Sequence, residues 1–107
     1  MAQAEMFGVC GKMTAQSGKR DEVVELIKES VRVGGDASGL VSYSVIATLD
    51  EPDTIWVTEL WTDKAAHDTM TRSEPVRAVS QRLVALLVEP PTGSYGHVLH
   101  ASGMSAR

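Results

Sequence analysis

Residues 54–73 decide the fold, because a β-rich segment, TIWVTELW, runs directly into TDKAAHDTMTRS, which has a helical composition. β-Branched and aromatic residues dominate the first segment, as in a strand whose two faces differ. Asp63 stands where its side chain can cap the first turn of a helix. The stretch therefore predicts a strand over 54–62, followed at once by a helix from Asp63 to about Arg72.

The preceding residues extend this pattern toward the N-terminus. Loose alternation predicts a first strand over 5–14, and apolar residues at helical spacing predict an amphipathic helix over about 21–31 that stops at Gly34-Gly35. Strict alternation predicts a second strand over 40–49, joined to the third by a turn. One face of this strand is expected to carry Val41, Tyr43, Val45, Ala47 and Leu49, with mostly Ser or Thr on the other.

The C-terminal part continues with a second helical piece and a last strand. Ser73-Glu74-Pro75 predicts a restart of the helix, since proline is tolerated in a first turn, and so a bend. Pro90-Pro91 and Gly93 are expected to end this region. The last strand is then predicted over 95–101, with Tyr95, His97 and Leu99 on one face.

Together these elements follow the order β-α-β-β-α-β, which predicts an α+β, ferredoxin-like fold with a four-stranded antiparallel sheet. The chain is expected to form a single domain, 1–107, with an ordered core of about 5–101. Helices on one face leave the other face of the sheet uncovered. A second copy of the sheet could cover that face, so a homodimer is expected.

Composition and charge narrow the range of partners. The net charge of −4 gives no electrostatic reason to bind nucleic acid or an anionic membrane. Cys10 is the only cysteine, so an internal disulfide is excluded. Residues 1–5, MAQAE, lack the basic and apolar regions of a secretory signal, and a cytoplasmic location is expected.

The segment Glu59-Leu60-Trp61-Thr62-Asp63-Lys64-Ala65-Ala66, followed by Ser73 and a second helical piece, resembles the antibiotic biosynthesis monooxygenase family. The shared signature is Glu-x-Trp-x-Asp-x-Ala-Ala after a strand, and the resemblance covers nearly the whole chain. This family of dimeric α+β barrels includes quinol monooxygenases. The resemblance implies a homodimer with a pocket between sheet and helices, and oxygenation of phenolic or polycyclic aromatic substrates without metal, flavin or haem.

Such chemistry asks little of the protein, because an electron-rich phenolate or hydroquinone anion can itself pass an electron to O₂. The protein must supply a cavity, a polar group for the ring oxygen and a route for one proton. The expected partners are therefore a small aromatic substrate and O₂, with no cofactor. No metal site is expected either, because His97 and His100 point to opposite faces of a strand.

Two residues of the third strand are candidates for the site. Trp61 offers a flat ring face and one N–H donor, which suit substrate binding, although an inward Trp also serves as core. Glu59 shares the face of Trp61, so its carboxylate must be paired, hydrogen-bonded or protonated if that face is buried. Glu59 is thus either a catalytic base or orienting group beside Trp61, or one half of a structural salt bridge across the sheet or a dimer interface.

The second helix adds His67 as a catalytic candidate, because an imidazole exchanges protons near neutral pH. In the family, histidine often occurs at the positions equivalent to Met70 and Pro75, and His67 precedes Met70 by one helical turn. His67 could therefore replace that group, with Met70 on the same substrate-binding face, or it could be an exposed histidine. Tyr43 could donate a hydrogen bond to substrate, with packing as its other role.

Three other functions remain to be weighed. Haem degradation, found in a related family, needs an Asn, a Trp and a ligating His; this chain has no Asn, and Met70 and Ser80 occupy the other two positions. An isomerase of a small oxygenated metabolite needs only an acid and a base in the cavity. A non-catalytic, dimeric small-molecule-binding protein is the third possibility.

Overall fold

A computed structural model describes residues 6–35 and 38–103 of the chain. The elements in chain order are β1 (Phe7–Thr14), α1 (Arg20–Gly34), β2 (Leu40–Ala47), β3 (Thr54–Trp61), α2 (Lys64–Arg72), α3 (Glu74–Val84) and β4 (Thr92–His97). The strands form one antiparallel sheet in the order β2-β3-β1-β4. This confirms the predicted α+β, ferredoxin-like fold.

The helices cover one face of the sheet and bury the apolar residues that alternation directs toward them. The larger buried cluster consists of Ala15, Val23, Leu26, Ile27, Ile55, Val57, Val79, Leu83 and Leu87. A second cluster, which we call the Trp61 cluster, consists of Phe7, Trp61, Met70 and Val76. The apolar faces predicted for β1, β3 and the helices are the ones buried in these two clusters.

The connection from β3 to α2 and the break after α2 both follow from local chemistry. The carboxylate of Asp63 accepts a hydrogen bond of 2.7 Å from the Ala66 N–H, which caps the first turn as predicted. Ser73 has an extended backbone between α2 and α3, and Pro75 lies in the first turn of α3. The predicted bend is therefore confirmed, since proline lacks the N–H that a continuous helix would use.

The last strand lies earlier than predicted. β4 spans Thr92–His97 rather than 95–101, and Leu99, which was expected in the strand, is 96% exposed beyond it. Gly93 does not end a helix but pairs with Gly11 of β1. A Cβ at Gly93 would lie 2.9 Å from the Cys10 carbonyl oxygen, so glycine allows β4 to approach β1 closely.

The alternation predicted for the second strand is also wrong at both ends. A one-residue irregularity lies between Leu40 and Ser42, so Val41 is an extra residue that is 39% exposed. Leu40 takes the inward position and packs against the Trp61 cluster. β2 ends at Ala47, and Leu49 is 99% exposed beyond it.

The other face of the sheet carries no helix and leaves apolar side chains open. Trp56 is 37% exposed and Ile46 51%, and these two residues are cross-strand partners. The ammonium of Lys12 lies 6.0 Å from the centre of the Trp56 ring, at the outer range of a cation–π contact. Within the described part of the chain, every helix lacks the length and apolar character of a membrane span.

Candidate functional site

A partly open cavity of about 210 Å³ lies between the sheet and the helices. The strands contribute Leu40, Tyr43, Val57, Glu59 and Trp61 to its wall, among others, and the helices contribute Ile27, Ser30, Met70, Ser80 and Leu83. Four of the five predicted site residues, Tyr43, Glu59, Trp61 and Met70, therefore meet at one cavity. His67, the fifth, is not among its lining residues.

Glu59 and Trp61 form a hydrogen-bonded pair on the cavity wall. They are two residues apart on β3, so both side chains point to the helix-covered face. The indole Nε1–H of Trp61 donates to Oε1 of Glu59 at 2.8 Å. The described residues contain no salt bridge to Glu59 and no hydrogen bond to its second oxygen, Oε2. Within one subunit, the described residues thus give Glu59 a neutral donor, Trp61. A salt bridge of Glu59 across a dimer interface stays a prediction.

Tyr43 and Met70 form further parts of the cavity wall. Tyr43 of β2 is the direct cross-strand partner of Glu59. Met70, on α2, is buried at 7% exposure. Its side chain has room because Gly34 lies beside it: a Cβ at Gly34 would be 2.5 Å from the Met70 Cε. A flexible thioether thus forms part of the wall and can adapt to a ligand.

His67 lies in an aromatic group next to the cavity. Its ring centre is 5.1 Å from that of Phe7, 5.5 Å from that of Tyr95 and 5.2 Å from that of Trp61, which it meets edge to face at 88°. His67 is 8% exposed, so the alternative of an exposed histidine is wrong. The imidazole contacts the cavity wall through Trp61 rather than lining the cavity itself.

Asp68 holds the imidazole from the solvent side and was missed in the sequence. Its Oδ1 lies 2.9 Å from His67 Nδ1, and its Oδ2 accepts a 2.6 Å hydrogen bond from the Lys64 ammonium. The hydrogen bond from Lys64, followed by that with His67, lowers the pKa of Asp68 to about 2. The spacing of Lys64 and Asp68, four apart on a helix, was the available signal.

A second concavity, of about 940 Å³, lies on the open face of the sheet. Its wall includes Gly8, Cys10, Ser42, Thr58 and Ser94, at strand positions that face away from the helices. A wide, open surface cannot exclude water from a reaction, so the smaller cavity under the helices is the better candidate site. Residues 6–35 and 38–103 contain no group of three or more His, Cys, Asp or Glu side chains placed to hold a metal ion.

The fold and the cavity define a class of small α+β proteins with a ligand-sized space between one sheet and its helices. The sequence model described as "Antibiotic biosynthesis monooxygenase" matches residues 6–82, which is most of the chain. The protein therefore belongs to the antibiotic biosynthesis monooxygenase family, as the signature around Glu59 and Trp61 predicted. A comparison with curated proteins finds no matching sequence.

Solved structures share the fold over nearly their whole length. A Chloroflexus aurantiacus protein, provisionally assigned as an antibiotic biosynthesis monooxygenase, is 25% identical with a TM-score of 0.80 and covers 94% of this chain and 100% of its own. A conserved Methanosarcina mazei protein is 20% identical with a TM-score of 0.80, and the match covers 90% of this chain and 95% of the other. A mutant of SnoaB, a cofactor-independent oxygenase from Streptomyces nogalater, is 14% identical with a TM-score of 0.80. That match covers 92% of this chain and 97% of the SnoaB chain.

Proposed function

We propose that this protein is a cofactor-independent monooxygenase that oxidises a phenol or hydroquinone with O₂. The observation that carries the proposal is the Glu59–Trp61 pair, which places a carboxylate and an aromatic ring on the wall of one partly open cavity. Family membership supports the same chemistry. The cavity thus offers the three things required: a place for a ring, a proton acceptor and shelter from water.

The cavity volume favours a substrate with one ring. Ligand pockets for drug-sized molecules occupy roughly 300–1,000 Å³, whereas this cavity measures about 210 Å³. A hydroquinone fits this space better than the polycyclic compounds that the family resemblance also implied. We therefore propose a single-ring quinol or phenol as the group that enters the cavity.

The proposed reaction balances without an external reductant. Glu59 accepts a phenolic proton through Oε2, and the ring anion passes an electron to O₂. One oxygen atom then forms a C–O bond to the ring, and the other leaves as water. Hydroquinone and O₂ give hydroxyquinone and water, because the quinol supplies the two electrons that water formation needs.

The aromatic residues would orient the ring rather than react with it. The Trp61 N–H is already used by Glu59, so the indole would offer the substrate its face and not a hydrogen bond. Tyr43 stands across from Glu59 and would donate its hydroxyl to the second oxygen of a quinol. Met70 would close the cavity around the ring.

The catalytic role predicted for His67 stays a prediction, and the geometry favours an indirect form of it. The imidazole packs edge to face on Trp61 and is fixed by Asp68, so we propose it as a positioning residue for the Trp61–Glu59 pair. His67→Gln should then lower kcat for oxidation more than it changes KM. A purely structural role would predict unfolding with unchanged kcat in the folded fraction.

Oxygen uptake with a panel of single-ring hydroquinones tests the proposal. Glu59→Gln keeps the hydrogen bond from Trp61 but removes the proton acceptor, and should lower kcat by roughly 10²–10⁴-fold, as for other general bases. Glu89→Gln, a change of the same kind at an exposed position, is the control and should be fully active. Equal activity of Glu59→Gln and the parent protein would reject Glu59 as the base.

The same experiment separates catalysis from binding alone. Binding is measured under nitrogen by quenching of tryptophan fluorescence and compared with oxygen consumption in air. A hydroquinone that binds tightly but consumes no oxygen would favour the non-catalytic binding protein. Oxygen uptake that Glu59→Gln abolishes would favour the monooxygenase.

We also propose that the open face of the sheet pairs with a second copy of the chain. Trp56, Ile46 and Val41 are exposed on β2 and β3, and a partner sheet would bury them. Light scattering should give the mass of a dimer for the parent protein and of a monomer for Trp56→Glu. A monomeric parent protein at micromolar concentration would overturn this proposal.

A further inference from the structure

A groove of about 390 Å³ on the helical surface adjoins the cavity. It lies between α2 and α3 and is lined by Thr71, Arg77, Ser80, Gln81 and Val84. Thr71, Ser80 and Val84 also line the cavity, so the two spaces share a wall. A substituent that extends past this shared wall would lie in the groove.

Arg77 gives the groove its charge. It is the one charged side chain among the described residues that line the groove. Arg20, Arg32 and Arg82 each form an ion pair with a carboxylate, whereas Arg77, like Arg72, forms none within the described part of the chain. Its guanidinium therefore remains available to bind an anion.

The charges also fix which end of a ligand would lie outside. Glu59 presents a carboxylate to the inside of the cavity, which disfavours a second anion there. Outside, the guanidinium can bind a carboxylate through two parallel hydrogen bonds, with Gln81 and Ser80 as neutral donors nearby. A ligand with a phenolic ring at one end and a carboxylate at the other matches this arrangement.

We propose that Arg77 binds the carboxylate of a substrate whose phenolic ring occupies the cavity, so that the substrate class is aromatic acids with a short acidic arm. This inference rests on the proposed function for the location of the ring. The inference concerns only the binding of the acidic arm, whereas the proposed function concerns the oxidation of the ring. Arg77 is a specificity residue here and takes no part in proton transfer.

The test compares two ligands that share the ring and the arm, 2,5-dihydroxyphenylacetate and its methyl ester, of which the ester is uncharged and one methyl group larger. Dissociation constants are measured by calorimetry under nitrogen, which prevents turnover. We expect the acid to bind roughly 10-fold more tightly than the ester, as a charged hydrogen-bonded pair would give. Arg77→Gln should abolish that difference by weakening binding of the acid and leave the ester within about 2-fold.

Arg82→Gln is the matched control, because Arg82 lies on the same helix, is exposed and already pairs with Glu29. It should leave both dissociation constants unchanged, whereas Arg77→Lys should restore part of the preference for the acid. Circular dichroism verifies that each variant is folded.

Three outcomes would overturn the inference. Equal binding of acid and ester to the parent protein, or equal weakening of both by Arg77→Gln, removes Arg77 as a specificity residue and leaves the proposed function intact. Failure of both ligands to bind the parent protein overturns the inference, and failure of uncharged single-ring hydroquinones to bind as well rejects the ring site with it.

Discussion

The two tryptophans of β3 lie on opposite faces of the same strand and have different surroundings. Trp61 is 2% exposed, packs against Phe7 and Met70, and donates its N–H to Glu59. Trp56 is 37% exposed, pairs across the strands with the exposed Ile46, and has the Lys12 ammonium 6.0 Å from its ring centre. Five positions separate them, and an odd number reverses the face.

This difference shows that position along the strand, rather than residue type, assigns each side chain its role. The covered face places a polar residue, Glu59, within an apolar wall and satisfies it with Trp61. The open face instead carries Ser44 and Thr58, whose hydroxyls hydrogen-bond each other at 2.7 Å, beside Ile46 and Trp56. One face lines the cavity proposed as the ligand site, and the other has the mixed character of a surface that another protein can cover.

Replacing each tryptophan with alanine should give the largest difference in stability between the two faces. Trp61→Ala should lower the free energy of unfolding by about 3–5 kcal/mol, as for other buried aromatic residues. Trp56→Ala should cost under about 1 kcal/mol within one subunit, since the side chain is already partly in water. Urea denaturation at several protein concentrations measures both.

The concentration dependence sharpens the result. The loss in Trp61→Ala should be independent of protein concentration, whereas any further loss in Trp56→Ala should change with it, because it acts on assembly. Equal losses for the two variants at all concentrations would contradict the assignment of the two faces.

Two glycines at the edge of the covered face provide the next test. Gly35 and Gly39 both have positive φ, near +90°, but only Gly39 is crowded: a Cβ there would lie 2.6 Å from the Cβ of Ala66. Gly35→Ala should cost about 1–2 kcal/mol in unfolding free energy from backbone conformation. Gly39→Ala should cost about 1–3 kcal/mol more from the clash with α2.

Thermal unfolding of both variants measures this difference directly, with Gly35→Ala as the control for backbone strain. A similar melting temperature for the two would mean that α2 can move away from β2 at little cost. The covered face would then be less tightly closed at this edge than the contact of Gly39 with Ala66 indicates.

The smallest expected effect concerns Asp68 at the solvent edge of the covered face. Its pKa, about 2 in the folded protein and 3.8 ordinarily, is lowered by the hydrogen bonds from Lys64 and His67. Because the folded pKa is the lower one, this carboxylate adds stability above pH 3.8, and the contribution is lost as pH falls through about 2. The titration of the Asp68 carboxyl carbon, followed by NMR, should therefore have its midpoint near 2.

Lys64→Gln removes the hydrogen bond that lowers the pKa of Asp68 most, and should move that midpoint up toward 3.8. Lys28→Gln, on α1, is the control because Lys28 pairs with Glu25 and has no contact with Asp68. An unchanged midpoint in Lys64→Gln would assign the lowered pKa to His67 alone.

The sequence predicted those features that depend on regular alternation. Glu59 and Trp61 share a face because every second residue of a strand does, and the capping carboxylate of Asp63 marks the start of α2. Features that depend on departures from regularity were missed. No local sequence pattern marks Val41 as an extra residue. Glycine occurs in turns as well as in strands, so the sequence did not show that Gly93 lies in β4.

The surroundings of His67 could not be predicted from the sequence, for a different reason. Its burial arises from Phe7 on β1 and Tyr95 on β4, which are distant in sequence and meet only when the sheet has formed. The position of the imidazole behind Trp61, rather than in the cavity, likewise depends on how α2 packs, which helical spacing alone does not give.

The extra residue in β2 also means that this strand can lose one residue beside the cavity without changing its pairing with β3. Leu40 faces Trp61 and Tyr43 faces Glu59, and both pairings would survive the deletion of Val41, since that residue has no partner on β3. Relatives with one residue fewer between these positions can therefore present the same side chains to the cavity. An alignment gap at this point signifies no change in the side chains that form the cavity wall.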